Sequence, residues 1–175
     1  MRKTSNVTIF LVILLAGGFM VPETRRIPVA GARPADWNRH SFWHYPWGRS
    51  VVHKGIDIFA KEDTPVLAAT GGIILFAGDL PRGGRVILLL SAKWRMHYFA
   101  HLQRIDVSTL QIVRSGEAIG LVGTTGNAQG KPPHLHYSII SLMPLPSHYG
   151  FRMPVGWLRM FYIDPDGFLT SSKDT

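Results

Sequence analysis

Four side chains with donor atoms suited to a divalent metal stand in two short clusters. His53 and Asp57 belong to His53-Lys54-Gly55-Ile56-Asp57, and His134 and His136 to His134-Leu135-His136. Neutral imidazoles with one carboxylate are the donors a hydrolytic zinc ion takes when it keeps one coordination position open for water. If both clusters are extended, the spacing brings the donors together, because residues two and four apart on a β-strand share a face. His53 and Asp57 then project the same way. Gly55 lies between them, where a missing Cβ lets a metal or a substrate backbone come close. Ile56 and Ile58 point to the other side. His134 and His136 likewise share a face, while Leu135 and Tyr137 turn toward a core. One histidine of that pair can bind metal while its neighbour stays free.

Tyr98-Phe99-Ala100-His101-Leu102 adds a further histidine after an apolar run. Alone it carries little, since most isolated histidines are ordinary surface or satisfied buried residues. Taken together and in this order, HKGID, YFAHL and HLHY resemble the catalytic core of the lysostaphin-like zinc endopeptidases, the M23 or LytM-domain family. The resemblance runs from about Trp47 to Ile140, and more faintly on to Ile163-Asp164-Pro165. Asp63-Thr64-Pro65-Val66-Leu67-Ala68-Ala69 is similar to a turn and strand of that family, and Gly71-Gly72-Ile73 to the hairpin that follows. Gly116-Glu117-Ala118-Ile119-Gly120 and Gly123-Thr124-Thr125-Gly126 resemble its glycine-rich approach to the HLH strand. Departures are small. Phe99 stands where Tyr is common, and Ser138 where an acidic residue often follows. Lys131-Pro132-Pro133, an insertion just before His134, implies a groove edge particular to this chain.

The resemblance implies zinc ligands at His53, Asp57 and His136, and non-ligand catalytic histidines at His101 and His134. It implies a peptidase that cuts peptide cross-links of peptidoglycan with one zinc ion per chain. Zinc lowers the pKa of bound water to about 7, and a histidine with a pKa around 6.5 can accept and later deliver a proton. Which of His101 and His134 acts as base stays open. The HExxH glutamate is absent, which argues against a thermolysin-type mechanism. Some LytM-like domains are degenerate activators of amidases, but those lose ligands, and here every ligand position is filled. His40, His44, His97 and His148 match no family position and are expected at the surface or a groove edge. Gly126-Asn127-Ala128-Gln129-Gly130 lacks the lysine and helix start of a phosphate loop and reads as a tight turn beside the groove.

The amino terminus reads as a targeting segment, with Arg2 and Lys3 followed by an uncharged apolar run from Val7 to Val21. That is shorter than the roughly 20 residues a bilayer span needs, so residues 1–21 are expected to be a signal peptide or a signal anchor. Either places the remainder outside the cytoplasmic membrane, in the periplasm, wall or medium. The chain has no cysteine, which excludes lipoprotein anchoring, disulfides and thiolate ligands. Net charge is +8. Such a field favours anionic wall polymers or membrane surfaces. No nucleic-acid-binding motif appears and the basic residues are scattered, so nucleic acid is not an expected partner.

Residues 22–36 are rich in proline and charge and read as a linker. The 37–170 stretch is long enough for one core, with no internal repeat. Short runs rich in Val, Ile and Leu, separated by glycine turns, occupy 65–69, 73–77, 85–90, 96–101, 118–122 and 135–140. These positions predict an all-β domain, an antiparallel sandwich or barrel-like arrangement with the metal in a groove. Trp37, Phe42, Trp43, Tyr45 and Trp47 are expected either as a groove wall or as a loop packed on the sheet edge. The loop 141–160, with Tyr149 and Trp157, is expected as the opposite wall, and Arg49 as a contact for a substrate carboxylate.

Overall fold

The computed structural model describes residues 2–171. Its apolar runs form strands β1 (Ile56–Phe59), β2 (Pro65–Leu67), β3 (Gly72–Leu80), β4 (Gly84–Ser91), β5 (Arg95–Ile105), β6 (Ile112–Val113), β7 (Ala118–Val122), β8 (His134–Ser141) and β9 (Tyr162–Ile163). The pairing order is β1-β8-β5-β4-β3-β6, with β7 joined to β2 and β5, and β9 to β8. Every pair is antiparallel. The all-β antiparallel fold expected from the turn spacing is therefore the fold observed.

Alternation along the strands sorts two faces. Ile56, Ile58, Ile87, Leu89, Phe99, Leu135, Tyr137 and Ile139 are fully buried in the core. Each such side chain contributes on the order of 1.5–3 kcal/mol by leaving water. The alternate residues Asp57, Leu88, Met96, Tyr98, Ala100, His136, Ser138 and Ile140 floor an open groove. The same strands thus supply a packed face and a chemical one.

The segment expected as a linker is instead packed on the domain. Arg26 N donates to Ala69 O at 2.8 Å, Leu67 N to Pro28 O at 3.0 Å and Ala30 N to Pro65 O at 3.0 Å, and Val29 pairs with Val66. Val29 is buried against the core. The apolar Ile27 and Val29 outweigh the loop signal of the neighbouring prolines, because edge strand β2 offers free backbone partners. Before it, α1 (Arg2–Met20) carries exposed apolar side chains and meets the domain where Trp94 Nε1 donates to Leu15 O at 2.9 Å. Among the described residues, no helix is long and apolar enough to cross a membrane. At the other end α2 (Pro165–Thr170) is capped by the Asp164 carboxylate, which accepts from Asp166 N, and it lays Phe168 into the core.

Candidate active site

Asp57 on β1 and His136 on β8 are direct cross-strand partners. His136 Nδ1 lies 2.8 Å from Asp57 Oδ1, His53 Nε2 lies 3.1 Å from the same oxygen, and the two imidazole nitrogens are 3.1 Å apart. The three donors form one compact triangle able to hold a single metal ion. His53 reaches it from a different direction than strand alternation implies. β1 begins only at Ile56, so His53 lies in the loop before it, and its Nδ1 donates to Ser41 O at 3.1 Å. That bond leaves Nε2 as the free donor, and Trp47 stacks on the ring at 4.1 Å between centroids.

Gly55 serves a different purpose from the one expected. A Cβ there would overlap the Tyr137 carbonyl and Ser138 Oγ. The close approach that glycine permits is between β1's entry and β8.

His134 shares the groove face with His136, as their spacing requires, and pairs with Phe59 across the strands. His101 breaks the alternation. Ala100 pairs with His136 and faces the groove, so regular pleating would send His101 to the core beside Phe99. Instead His101 has a left-handed backbone, φ 67°, and both Ala100 and His101 line the groove. A bulge of this kind re-aims one side chain, and a non-glycine residue holding it stores strain on the order of 1–3 kcal/mol. The His101 and His134 rings are 5.1 Å apart, and His101 is 6.0 Å from His136.

Backbone carbonyls fix both rings. His101 Nδ1 donates to Thr125 O at 2.9 Å, and His134 Nδ1 to Pro132 O at 2.7 Å. A carbonyl only accepts, so each neutral ring keeps its lone pair on Nε2. Burial, with the charges of His136 and His134, pushes the His101 pKa down to about 4 despite the Thr125 bond. It is therefore neutral at pH 7. Burial alone would raise the Asp57 carboxyl, but hydrogen bonds and charge from His136 and His53 hold it well below the usual carboxylate range. Burial lowers His136, opposed by Asp57.

The groove encloses about 700 Å³, a volume suited to a short peptide. Its wall differs in part from expectation. Trp47 lines it, but Trp37 and Trp43 are buried in packing. Tyr162 lines it, whereas Tyr149, Trp157 and Arg49 do not. Lys131 and Pro132 of the insertion do, and the 126–130 turn places Asn127 at the rim. His40 and His44 are exposed and His148 half-buried. His97 departs from its expected surface position. It is fully buried, between Ser91 Oγ at 2.9 Å and the Tyr137 hydroxyl at 2.7 Å, because pleating puts it on the core face with Phe99.

Sequence reasoning missed Tyr98, which lies edge-on to His136 with ring centroids 6.1 Å apart. Counting by two from Ala100 finds it. The carbonyls of Ser41, Thr125 and Pro132 leave no such signal, since any residue supplies one.

Residues 51–144 match the sequence profile of peptidase family M23. The chain belongs to that family. It is 36% identical over 113 residues to the L-Ala--D-Glu endopeptidase of Bacillus subtilis strain 168, a stretch covering 59% of this chain and 35% of that protein. It is 34% identical over 92 residues to the peptidoglycan DD-endopeptidase ShyA of Vibrio cholerae, covering 53% of this chain and 21% of the relative. This chain thus matches about a third or less of either relative's length. Among solved structures, the catalytic domain of the antimicrobial peptidase lysostaphin from Staphylococcus simulans superposes with a TM-score of 0.61 and 29% identity, covering 75% of this chain and 90% of that domain.

Proposed function

We propose that this protein is a zinc-dependent endopeptidase that hydrolyses peptide bonds in the cross-links of peptidoglycan. The observation that carries the reading is one groove holding the His53, Asp57, His136 triangle beside two histidines with free Nε2 atoms. Donors on a tetrahedron with arms of 2.0–2.1 Å are about 3.3 Å apart, and the 2.8 to 3.1 Å separations fit a small ion with nitrogen and oxygen ligands. No thiolate is available, so softer ligand sets are excluded.

When bound, zinc lowers the pKa of water to about 7 and polarises a peptide carbonyl. The chain's own residues do the rest. Nε2 of one of His101 and His134 takes the proton of the attacking water, and the pair returns a proton to the departing amine as the C–N bond breaks. The net change is one water consumed, one carboxylate and one amine released. Thr125 O and Pro132 O hold the two rings so that neither must reorient. The relative named as a peptidoglycan DD-endopeptidase supports the substrate class.

We also infer that the domain works outside the cytoplasmic membrane, with the 7–21 apolar run, which α1 carries as far as Met20, as part of a signal peptide or anchor. Support comes from that run's exposed apolar side chains. Fractionation of the full chain, with mass analysis of its amino terminus, tests this.

Purified cell wall or muropeptides test the activity. Hydrolysis should stop with a chelator, return with zinc, and fall at least about 100-fold in His134→Ala. Undiminished hydrolysis after full zinc removal defeats the reading.

A further inference from the structure

Three cations line the groove. Arg82, in the turn between β3 and β4, and Lys131, in the loop before β8, both line it, and Lys54 lies beside His53. Among the described residues, Asp57 is the single acidic residue lining the groove, and it belongs to the metal triangle. Arg82 and Lys131 are exposed, and among the described residues their side chains have no hydrogen-bond or ion-pair partner. Their backbones are not loose. Arg82 O accepts from Asn127 N at 2.9 Å, Gly83 O accepts from His101 N at 2.8 Å, and Lys131 N donates to Ala128 O at 3.0 Å. This weave ties both cations to the edge that holds His101 and His134.

Apart from Lys54, the floor on the far side of His136 is apolar. Leu88 pairs with Tyr98, and Met96 with Ile140, so these four side chains extend the sheet's open face away from His136, with Tyr162 at the margin. A neutral oligoglycine strand carries neither carboxylate nor methyl groups. An anionic peptide with small aliphatic side chains has both, and unpaired cations beside a low-dielectric wall attract carboxylate while apolar floor attracts methyl groups.

Resting on the peptidase reading above, we propose that this chain selects peptides bearing a free carboxylate close to the cleaved bond. Arg82 and Lys131 seat that carboxylate on the His101 and His134 side, and the Leu88, Met96, Ile140 floor takes aliphatic residues on the other. In wall chemistry this means acidic stem peptides with unamidated carboxyl groups, in preference to glycyl bridges or amidated stems.

The test uses the full chain loaded with zinc and paired synthetic stem-type peptides. Within each pair one residue adjacent to the cleaved bond carries a free carboxylate or a carboxamide. Binding is measured calorimetrically with the scissile amide N-methylated to block turnover, and kcat and KM are measured with the ordinary amide. Wild type should bind the carboxylate form roughly tenfold more tightly, with a matching KM difference and kcat within about twofold. In Arg82→Gln/Lys131→Gln the preference should fall below about twofold, and rising salt should erode it in wild type. Equal binding of both forms by wild type overturns the proposal, as does a preference that survives the double substitution. Cleavage is scored apart from this. Hydrolysis of both forms at equal kcat/KM leaves a peptidase without the carboxylate subsite, whereas carboxylate-selective binding without any hydrolysis keeps the subsite and removes the peptidase.

Discussion

Ser138 Oγ lies 3.0 Å from Nε2 of His136, two residues earlier on the same face of β8. With Nδ1 facing Asp57 and giving its lone pair to a bound metal, that ring would carry its proton on Nε2, where the serine oxygen can accept it. A partner on the far nitrogen fixes the tautomer and orientation of a metal-binding imidazole, and losing it typically costs 10- to 100-fold in metal affinity or activity. Ser138→Ala should therefore weaken zinc binding about tenfold in competition with a chelator, and Ser138→Thr should keep most of it. An alanine variant with wild-type zinc affinity would show that the hydroxyl has no part in holding His136.

Gly55→Ala tests the close seating of β1's entry on β8. The added methyl would meet the Tyr137 carbonyl, which belongs to the backbone and has no rotamer to yield. Overpacking of this kind costs about 1–3 kcal/mol, and the displacement opens the gap between Asp57 and His136. Both a lowered melting temperature and weaker zinc retention are expected. Unchanged values in both would mean that β1 and β8 separate without cost.

Much of the site stood in the residue types themselves. Asp57, His134 and His136 lie on strands whose period of two decides their direction, and Ile56, Ile58, Leu135 and Tyr137 fall to the core for the same reason. What alternation could not supply was any place where the chain departs from it. His53 sits in a loop whose path is set by the Ser41 carbonyl, and His101 sits on a bulge that no pattern of apolar residues marks. His97 matches no family position and for that reason alone is expected at the surface or a groove edge, whereas its parity with Phe99 puts it inside. Arg82 gave no sign of its place because its turn meets the 126–130 loop only through tertiary hydrogen bonds.

His101→Ala and His101→Gly separate chemistry from conformation. Both remove the imidazole, so both should lower kcat by about 100- to 10,000-fold while KM changes little. Glycine adopts φ 67° without penalty whereas alanine does not. The glycine variant should accordingly be more stable than the alanine variant by on the order of 1 kcal/mol in urea unfolding. If alanine proves the more stable of the two, the left-handed backbone at this position is not what turns the ring into the groove.

Acid should destabilise the fold through His97. Burial, and to a lesser degree the charge of Arg95, push its pKa down to about 3 in the folded chain, against about 6.5 when unfolded. Between those two values the unfolded state binds a proton that the folded state refuses. Stability therefore rises with pH across that window, is fully present above about 6.5, and declines as pH falls toward 3, with a slope approaching about 1.4 kcal/mol per pH unit from this one group. His101 and His136 are also lowered and add slope of the same sign in the same range, while the depressed Asp57 adds its own loss only below about 4, the ordinary carboxylate value. His97→Phe isolates the first contribution. It loses the bonds to Ser91 and Tyr137 and should be less stable at pH 7 by about 1–3 kcal/mol, yet its stability should fall less steeply between pH 6.5 and 4 than that of wild type. Urea unfolding at four pH values measures both slopes, and parallel curves would assign the acid sensitivity to groups other than His97.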